Sequence, residues 1–146
     1  MKLKRYLVVV ALLCAAAAPV HAARNTPMVT PGVITLPAPE GKTVSAARVR
    51  EAVLASAALR GWLVDEEQPG LIRLTYAPRN KHKATIDVRY GDGSFEIVFV
   101  SSFNLNEDKR DGALLIHPNY NNWINNLVQD VRARSERPQP AASAPA

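Results

Sequence analysis

The sequence predicts an α+β fold in which two helices cover one face of a four-stranded antiparallel meander, in the order α-β-β-β-β-α. Two observations lead to this prediction. Apolar residues recur at helical spacing in one segment at each end of the folded region, and the four segments between them have the lengths and turn residues of strands. An antiparallel sheet with one apolar face needs cover, so packing both helices on that face gives a two-layer domain.

The two predicted helices differ in the strength of their pattern. The first covers residues 44–60, with Thr43 as the N-cap and Gly61 where a left-handed glycine ends a helix. The second covers residues 118–134 and begins with Pro118 at the favoured first position. Its apolar stripe is the most regular in the chain and consists of Tyr120, Trp123, Ile124, Leu127, Val128 and Val131. We expect Trp123 to anchor the core between this helix and the sheet.

The four predicted strands cover residues 62–66, 71–77, 84–90 and 94–102. Asp92-Gly93 suits a two-residue type I′ turn between the last two strands. This turn pairs Tyr90 with Phe95, Val88 with Ile97, Ile86 with Phe99 and, on the other face, Arg89 with Glu96. A slip of one residue would set Val88 against Glu96, so the pattern predicts a single register.

The folded domain is predicted at residues 43–136, with a different composition on each side of it. Residues 23–42 are rich in proline and glycine and predict an extended lead-in with one short strand at 33–36. Residues 137–146 are rich in proline, alanine and serine and contain no large apolar residue. Such a segment buries too little to offset its ordering entropy, which predicts a disordered tail.

Residues 1–22 have the pattern of a cleaved signal peptide. Residues 2–5 carry three positive charges, an apolar run follows at 6–18, and Val20 and Ala22 occupy the −3 and −1 positions of a signal peptidase site. The apolar run is shorter than the roughly 20 residues that a transmembrane helix needs. We therefore expect a periplasmic or secreted protein, cleaved after Ala22, without a transmembrane helix.

Cys14 lies within this leader and is the single cysteine of the chain. A lipidation site has a small residue directly before its cysteine and commonly leucine three residues before it. Leu13 and Ala11 reverse that order here, which disfavours a lipid anchor. After cleavage the chain holds no cysteine and forms no intramolecular disulfide.

Charge argues against a nucleic-acid partner. The net charge of the whole chain is +5, but the leader holds three of the 18 Lys and Arg residues and none of the 13 Asp and Glu residues, so cleavage leaves +2. No basic stripe that would follow a phosphate backbone is present in the sequence. The basic segment containing Arg79, Lys81 and Lys83 reads as a solvated loop, with contact to an anionic headgroup or polymer as the alternative.

The sequence motifs predict no cofactor and no metal site. Gly91-Asp92-Gly93 lacks the third glycine of a dinucleotide-binding loop and joins two strands. Asn104, Asn106 and Asp108 resemble the start of a calcium loop, but an EF-hand needs glycine and glutamate where Lys109 and Leu115 stand. This segment therefore reads as a solvated loop.

Catalytic residues are scarce after the leader. The sequence after the leader contains only two histidines, His82 and His117, and none of the common hydrolase motifs. We therefore expect no enzyme and no catalytic residue. The alternative is a small periplasmic hydrolase or ligand-modifying enzyme that uses His117 with Ser101, Ser102 or Asp111.

Asparagine is unusually frequent on the second helix, where Asn121, Asn122, Asn125 and Asn126 lie away from the apolar stripe. Asparagine costs roughly 0.6 kcal/mol per site relative to alanine inside a helix. Residues that lower helix propensity without an evident structural gain point to a functional role. Side-chain amides both donate and accept hydrogen bonds, so they can bind sugar hydroxyls or a peptide backbone. The structural alternative is that a well-buried stripe tolerates poor helix formers.

Two segments of the chain resemble a group of small exported bacterial proteins, many of them lipoprotein-like. The first is Ser101-Ser102-Phe103-Asn104-Leu105-Asn106, and the second, after a charged loop, is Ile116-His117-Pro118-Asn119-Tyr120-Asn121-Asn122-Trp123. The similarity extends loosely over most of residues 43–131. It implies export and this fold and supplies no catalytic residue, and the chain departs from the lipoprotein members at Leu13-Cys14.

These observations predict a non-enzymatic binding or accessory module of the cell envelope. It would contact an envelope polymer or a protein partner through the second helix and the 101–117 loop. The candidate binding residues are Asn104, Asn106, His117, Asn121, Asn122, Asn125 and Asn126.

Overall fold

The computed structural model describes residues 24–138, so the predicted leader, Cys14 and residues 139–146 of the predicted tail lie outside the described residues. The helices are α1 (Ala46–Arg60) and α2 (Pro118–Glu136). The strands are β1 (Thr26–Pro27), β2 (Val33–Thr35), β3 (Leu63–Gln68), β4 (Leu71–Tyr76), β5 (Lys83–Gly91), β6 (Ser94–Phe103), β7 (Asp108–Arg110) and β8 (Ala113–Ile116).

The strands form two antiparallel sheets. The larger sheet has the order β2-β6-β5-β4-β3, and the smaller has the order β1-β8-β7. The prediction of an α+β fold with two helices and antiparallel pairing is confirmed, but the prediction of a four-stranded meander is wrong. The four predicted strands are β3 to β6. The short strand predicted at 33–36 is confirmed as β2, which pairs with β6 and so extends the sheet beyond four strands. The remaining three strands are short pairings that carry little periodicity of their own.

The predicted β5–β6 register is confirmed at every pair. Tyr90 pairs with Phe95, Val88 with Ile97, Ile86 with Phe99 and Arg89 with Glu96. The turn is not the predicted type I′, which needs positive φ at both central residues: Gly93 has a φ of 70°, but Asp92 is not among the residues with positive φ. Glycine adopts this φ without steric cost. The same turn contacts α1, because Asp92 Oδ1 accepts the backbone N–H of Ala46 at 2.7 Å.

Helix α1 begins later than predicted. Its N-cap is Ser45 and not Thr43, because the Ser45 hydroxyl accepts the backbone N–H of Arg48 at 3.2 Å. Gly61 ends the helix in the left-handed conformation, as predicted, with φ at 80°. The helix packs against β5, β6 and α2.

The segment predicted as a solvated loop contains a second hairpin. Strands β7 and β8 pair antiparallel around Asp111-Gly112, both of which have positive φ. This is the turn chemistry that the sequence also shows at Asp92-Gly93. Strand β8 leads into α2, and β1 of the lead-in pairs with its other edge.

The core lies between the helices and the larger sheet. Helix α2 buries Tyr120, Ile124, Leu127 and Val131, and the Tyr120 ring meets Phe99 of β6 edge to face with the ring centroids 5.6 Å apart. Trp123 packs against this core but stays half-buried at its edge. The central position on the helix belongs to Tyr120. Within residues 24–138, no helix has the length and apolar composition needed to cross a bilayer.

Candidate functional site

Three aromatic rings form a row where the start of α2 meets the larger sheet. Trp62, just before β3, lies 5.3 Å from Tyr76 of β4, measured between ring centroids. Tyr76 meets Trp123 of α2 edge to face at 5.0 Å. Trp62 is buried, whereas Tyr76 and Trp123 are half-buried and present part of their ring surface to solvent. Aromatic rings with one side packed and the other accessible are typical of binding sites.

The Tyr76–Trp123 pair separates two clefts, which together we call the α2 groove. The larger is about 480 Å³ and we call it the cationic cleft. Besides the aromatic pair it is lined by Pro78, Arg79, Lys81, His82 and Asn119. The smaller, the tryptophan cleft, is about 100 Å³ and is lined by the same pair with Arg60, Trp62 and Asn126.

Helical spacing explains why one side of α2 lines both clefts. Asn119, Trp123 and Asn126 are four and three residues apart and therefore share one face of the helix. Asp130 continues this stripe and binds Arg60. The rise of 1.5 Å per residue places Asn119 and Asn126 about 10 Å apart along the helix axis, one beside each cleft.

The wall of the cationic cleft is held by hydrogen bonds between two loops. The His82 Nδ1–H donates to the carbonyl oxygen of Asn104 at 2.7 Å, and the Asn104 amide donates to the carbonyl oxygen of Lys81 at 2.8 Å. His82 also stacks on His117 with the ring centroids 6.1 Å apart. Asn104 and His117 therefore position the wall and are absent from the residues that line the cleft.

His117 is the N-cap of α2. Its Nδ1 accepts the backbone N–H of Asn119 at 3.2 Å, so the proton of a neutral ring lies on Nε2. Within the described residues, no hydrogen bond joins His117 to Ser101, Ser102 or Asp111, and the Ser102 hydroxyl donates to Glu107 instead. The contact on which the hydrolase alternative depends is therefore not formed here.

Two other predicted site residues hold the start of the described chain. Asn121 accepts the backbone N–H of Val29 at 2.9 Å, and its amide donates to the Thr26 hydroxyl at 3.1 Å and the Pro27 carbonyl at 2.9 Å. The carbonyl oxygen of Asn106 accepts from the Asn25 amide. The hydrogen bonds of Asn121 fasten β1 beside α2, which gives this asparagine a structural role.

The remaining predicted asparagines separate into two groups. Asn126 is half-buried and lines the tryptophan cleft. Asn122 and Asn125 are exposed on the outer face of α2 and line neither cleft. The structure thus brings Asn104, His117 and Asn126 around the groove and places the other four predicted residues outside it.

Electrostatics distinguish the two clefts. In the tryptophan cleft the Arg60 guanidinium binds both carboxylate oxygens of Asp130, at 2.6 and 3.2 Å. The hydrogen bond to Arg60 holds the pKa of Asp130 below its usual range. None of the described residues that line the cationic cleft is acidic. Among residues 24–138, no group of three or more metal-ligating His, Cys, Asp or Glu side chains lies close enough to bind an ion.

Sequence reasoning missed Tyr76 and Trp62 as site residues and assigned Trp123 to the core alone. The signal was the position of these residues at element ends: Tyr76 is the last residue of β4, and Trp123 follows only the first turn of α2. On α2, Trp123 lies at the side of the apolar stripe, on the face that it shares with Asn119 and Asn126, so one side of its ring packs on the core and the other stays accessible. Comparison of the chain with protein-family models, with curated proteins and with solved structures found no significant match.

Proposed function

We propose that this protein is a non-enzymatic binding module of the cell envelope and that the α2 groove is its binding surface. The observation that carries the proposal is the half-buried Tyr76–Trp123 pair with an amide beside it in each cleft, Asn119 in one and Asn126 in the other. An accessible aromatic surface contributes apolar contact, and amides both donate and accept hydrogen bonds, which fixes the orientation of a ligand.

The composition of the groove supports a ligand with both ring-like and polar surface. A purely apolar ligand would leave the Asn119 and Asn126 amides without hydrogen-bond partners. Sugar rings satisfy both requirements, since they have C–H faces for aromatic contact and hydroxyl or acetamido groups for amides. An envelope polysaccharide therefore suits the groove, and export of the chain would bring the two together.

The test is co-sedimentation of the leader-free protein with envelope material. We expect the double variant Asn119→Ala, Asn126→Ala to bind about tenfold more weakly, because each lost hydrogen bond contributes roughly 0.5–1.5 kcal/mol. Its free energy of unfolding should not fall, since alanine is the better helix former. Loss of binding without loss of stability would identify a recognition surface.

The matched control is the double variant Asn122→Ala, Asn125→Ala. It makes the same chemical change on the same helix at two residues outside both clefts. We expect it to co-sediment like the unmodified protein. Equal retention of both double variants, or an unmodified protein that does not co-sediment, would overturn the proposal.

A further inference from the structure

Two cations without an ion-pair partner among the described residues line one end of the α2 groove. Elsewhere in the described chain, five arginines pair with carboxylates: Arg48, Arg50, Arg60, Arg73 and Arg110. No carboxylate of residues 24–138 lies within ion-pair distance of Arg79 or Lys81, both of which line the cationic cleft. The cationic cleft therefore has two cations and no carboxylate among its described lining residues, which makes its electrostatic potential positive.

The backbone that carries these cations is fixed in an unusual conformation. Arg79 has a φ of 55° and Asn80 a φ of 54°, inside a short 3₁₀ turn. Left-handed backbone is uncommon for arginine and is found where the surrounding structure imposes it. From a separate loop, the Asn104 amide donates to the carbonyl oxygen of Lys81, directly after these two residues. The cations are therefore held beside the cleft on a braced loop.

We infer that the ligand of the groove is an anionic glycan, an inference that rests on the proposed function. A sugar ring lies against the Tyr76–Trp123 pair, its polar substituents bind Asn119 and Asn126, and its carboxylate or phosphate binds Arg79 and Lys81 in the cationic cleft. Charge-assisted hydrogen bonds to a guanidinium or ammonium are stronger than bonds between neutral groups, so the anionic group decides selectivity.

Three glycan probes of equal length distinguish binding of the charged substituent from binding of the sugar backbone. Peptide-free peptidoglycan strands carry a lactyl carboxylate on alternate N-acetylhexosamines. Chito-oligosaccharides have the same N-acetylglucosamine backbone without that carboxylate, and phosphorylated chito-oligosaccharides carry a phosphate instead. Titration calorimetry with the leader-free protein then compares the three affinities, and the preferred anionic probe identifies the carboxylate or phosphate source.

We expect at least one anionic probe to bind about tenfold or more tightly than the neutral probe, a difference equivalent to roughly 1.4 kcal/mol. This advantage should shrink with added salt, because accessible charges are screened. Arg79→Asn, which suits the left-handed backbone, and Lys81→Gln should each weaken binding of the anionic probe about threefold to tenfold. Neither should change binding of the neutral probe.

The matched control is Lys83→Gln, the same charge change on β5 two residues from Lys81 but outside the cleft. We expect Lys83→Gln to weaken binding of the anionic probe by less than about twofold. A loss as large as that of Lys81→Gln would overturn the inference, because the effect would then come from general charge.

Failure of this inference is distinguishable from failure of the proposed function. If the neutral and anionic probes bind equally and the Asn119→Ala, Asn126→Ala variant weakens both, the groove binds glycans without selecting charge. The inference then fails and the proposed function stands. If no probe binds while envelope co-sedimentation still depends on Asn119 and Asn126, the ligand is of another class and the inference fails again. If co-sedimentation is also absent, both fail.

Discussion

Two buried serines, one on each helix, differ in whether the hydroxyl has a hydrogen-bond partner. Ser56 on α1 is fully buried, and its hydroxyl has no hydrogen-bond partner among the described residues. Ser135 on α2 is also buried, but its hydroxyl donates to the carbonyl oxygens of Val131 and Arg132. A buried hydroxyl without a partner has lost its hydrogen bonds to water and gained none in return.

Ser56→Ala should therefore raise the free energy of unfolding by about 1 kcal/mol, since it removes an unsatisfied polar group and adds a better helix former. Ser135→Ala is the matched control, because it removes a hydroxyl that is satisfied; we expect no gain of that size. Urea denaturation of both variants measures the difference. Equal effects would mean that Ser56 has a hydrogen-bond partner in solution.

The carboxylate of Asp87 makes the stability of the larger sheet dependent on pH. Arg73 donates to both oxygens of Asp87, at 2.8 and 2.9 Å, and this hydrogen bonding lowers the pKa of Asp87. A lowered folded-state pKa means that the pair stabilises the fold above the ordinary aspartate pKa of about 4. That contribution is lost as the pH falls through the lowered value.

Asp87→Asn should therefore lower Tm at pH 7, and its deficit relative to the unmodified protein should shrink as the pH falls below about 4. Thermal melts from neutral to strongly acidic pH measure this. A deficit that stays constant across the range would show that asparagine acts through packing and not through the lost charge pair.

At the scale of elements, the hairpins show what local sequence can predict. The β5–β6 register follows from Asp92-Gly93 and from alternating side chains in long strands. The β7–β8 hairpin has the same turn chemistry at Asp111-Gly112. It was missed because three strongly polar residues form β7, which gives no alternation. The turn residues Asp111-Gly112, taken alone, indicate a hairpin as clearly as Asp92-Gly93 does, and this signal was not used.

Helix α2 shows a limit of pattern reading within one element. The sequence places Tyr120 and Trp123 on the same apolar stripe, but the structure buries Tyr120 and leaves Trp123 half-buried at the core edge. We expect Tyr120→Ala to cost about 3–5 kcal/mol and Trp123→Ala about half as much, because a half-exposed ring loses less on truncation. Urea denaturation measures both. A larger loss at Trp123 would mean that it is the central anchor after all.

At the scale of the whole molecule, the contacts that the sequence did not predict are those between distant segments. Strand β1 has two residues and pairs with β8, where Thr26 lies opposite Ile116. Asn121 secures this pairing with three hydrogen bonds. No periodicity within two residues identifies such a strand. The class of fold and the five strands of the larger sheet follow from local patterns, whereas the second sheet depends on long-range pairing.

The candidate site was predictable only in part for the same reason. The sequence pointed to α2 and to the loop that ends in it, and the structure places Asn126, Asn104 and His117 around the groove there. The groove itself needs Tyr76 of β4 and the 3₁₀ turn after it, which only the folded chain brings beside α2. Which asparagines face a cleft therefore could not be decided before the folded arrangement was known.

The signal peptide cleavage site is also a prediction about the whole molecule. The leader pattern predicts cleavage after Ala22, so protein recovered from the envelope should have the mass of a chain that begins at Ala23. Intact-mass spectrometry measures it. The mass of a chain that begins at Cys14 and carries acyl groups would contradict the prediction and show that the protein has a lipid anchor.

The central claim is that the α2 groove is the binding surface, and the most direct test is a ¹⁵N–¹H NMR titration of the leader-free protein with solubilised envelope glycan. The side-chain amides of Asn119 and Asn126 and the indole N–H of Trp123 report on the groove, while the amides of Asn122 and Asn125 report on the outer face of the same helix. We predict saturable shifts of the three groove signals with the outer pair unmoved. Shifts confined to the outer pair, or to residues away from α2, would contradict the claim.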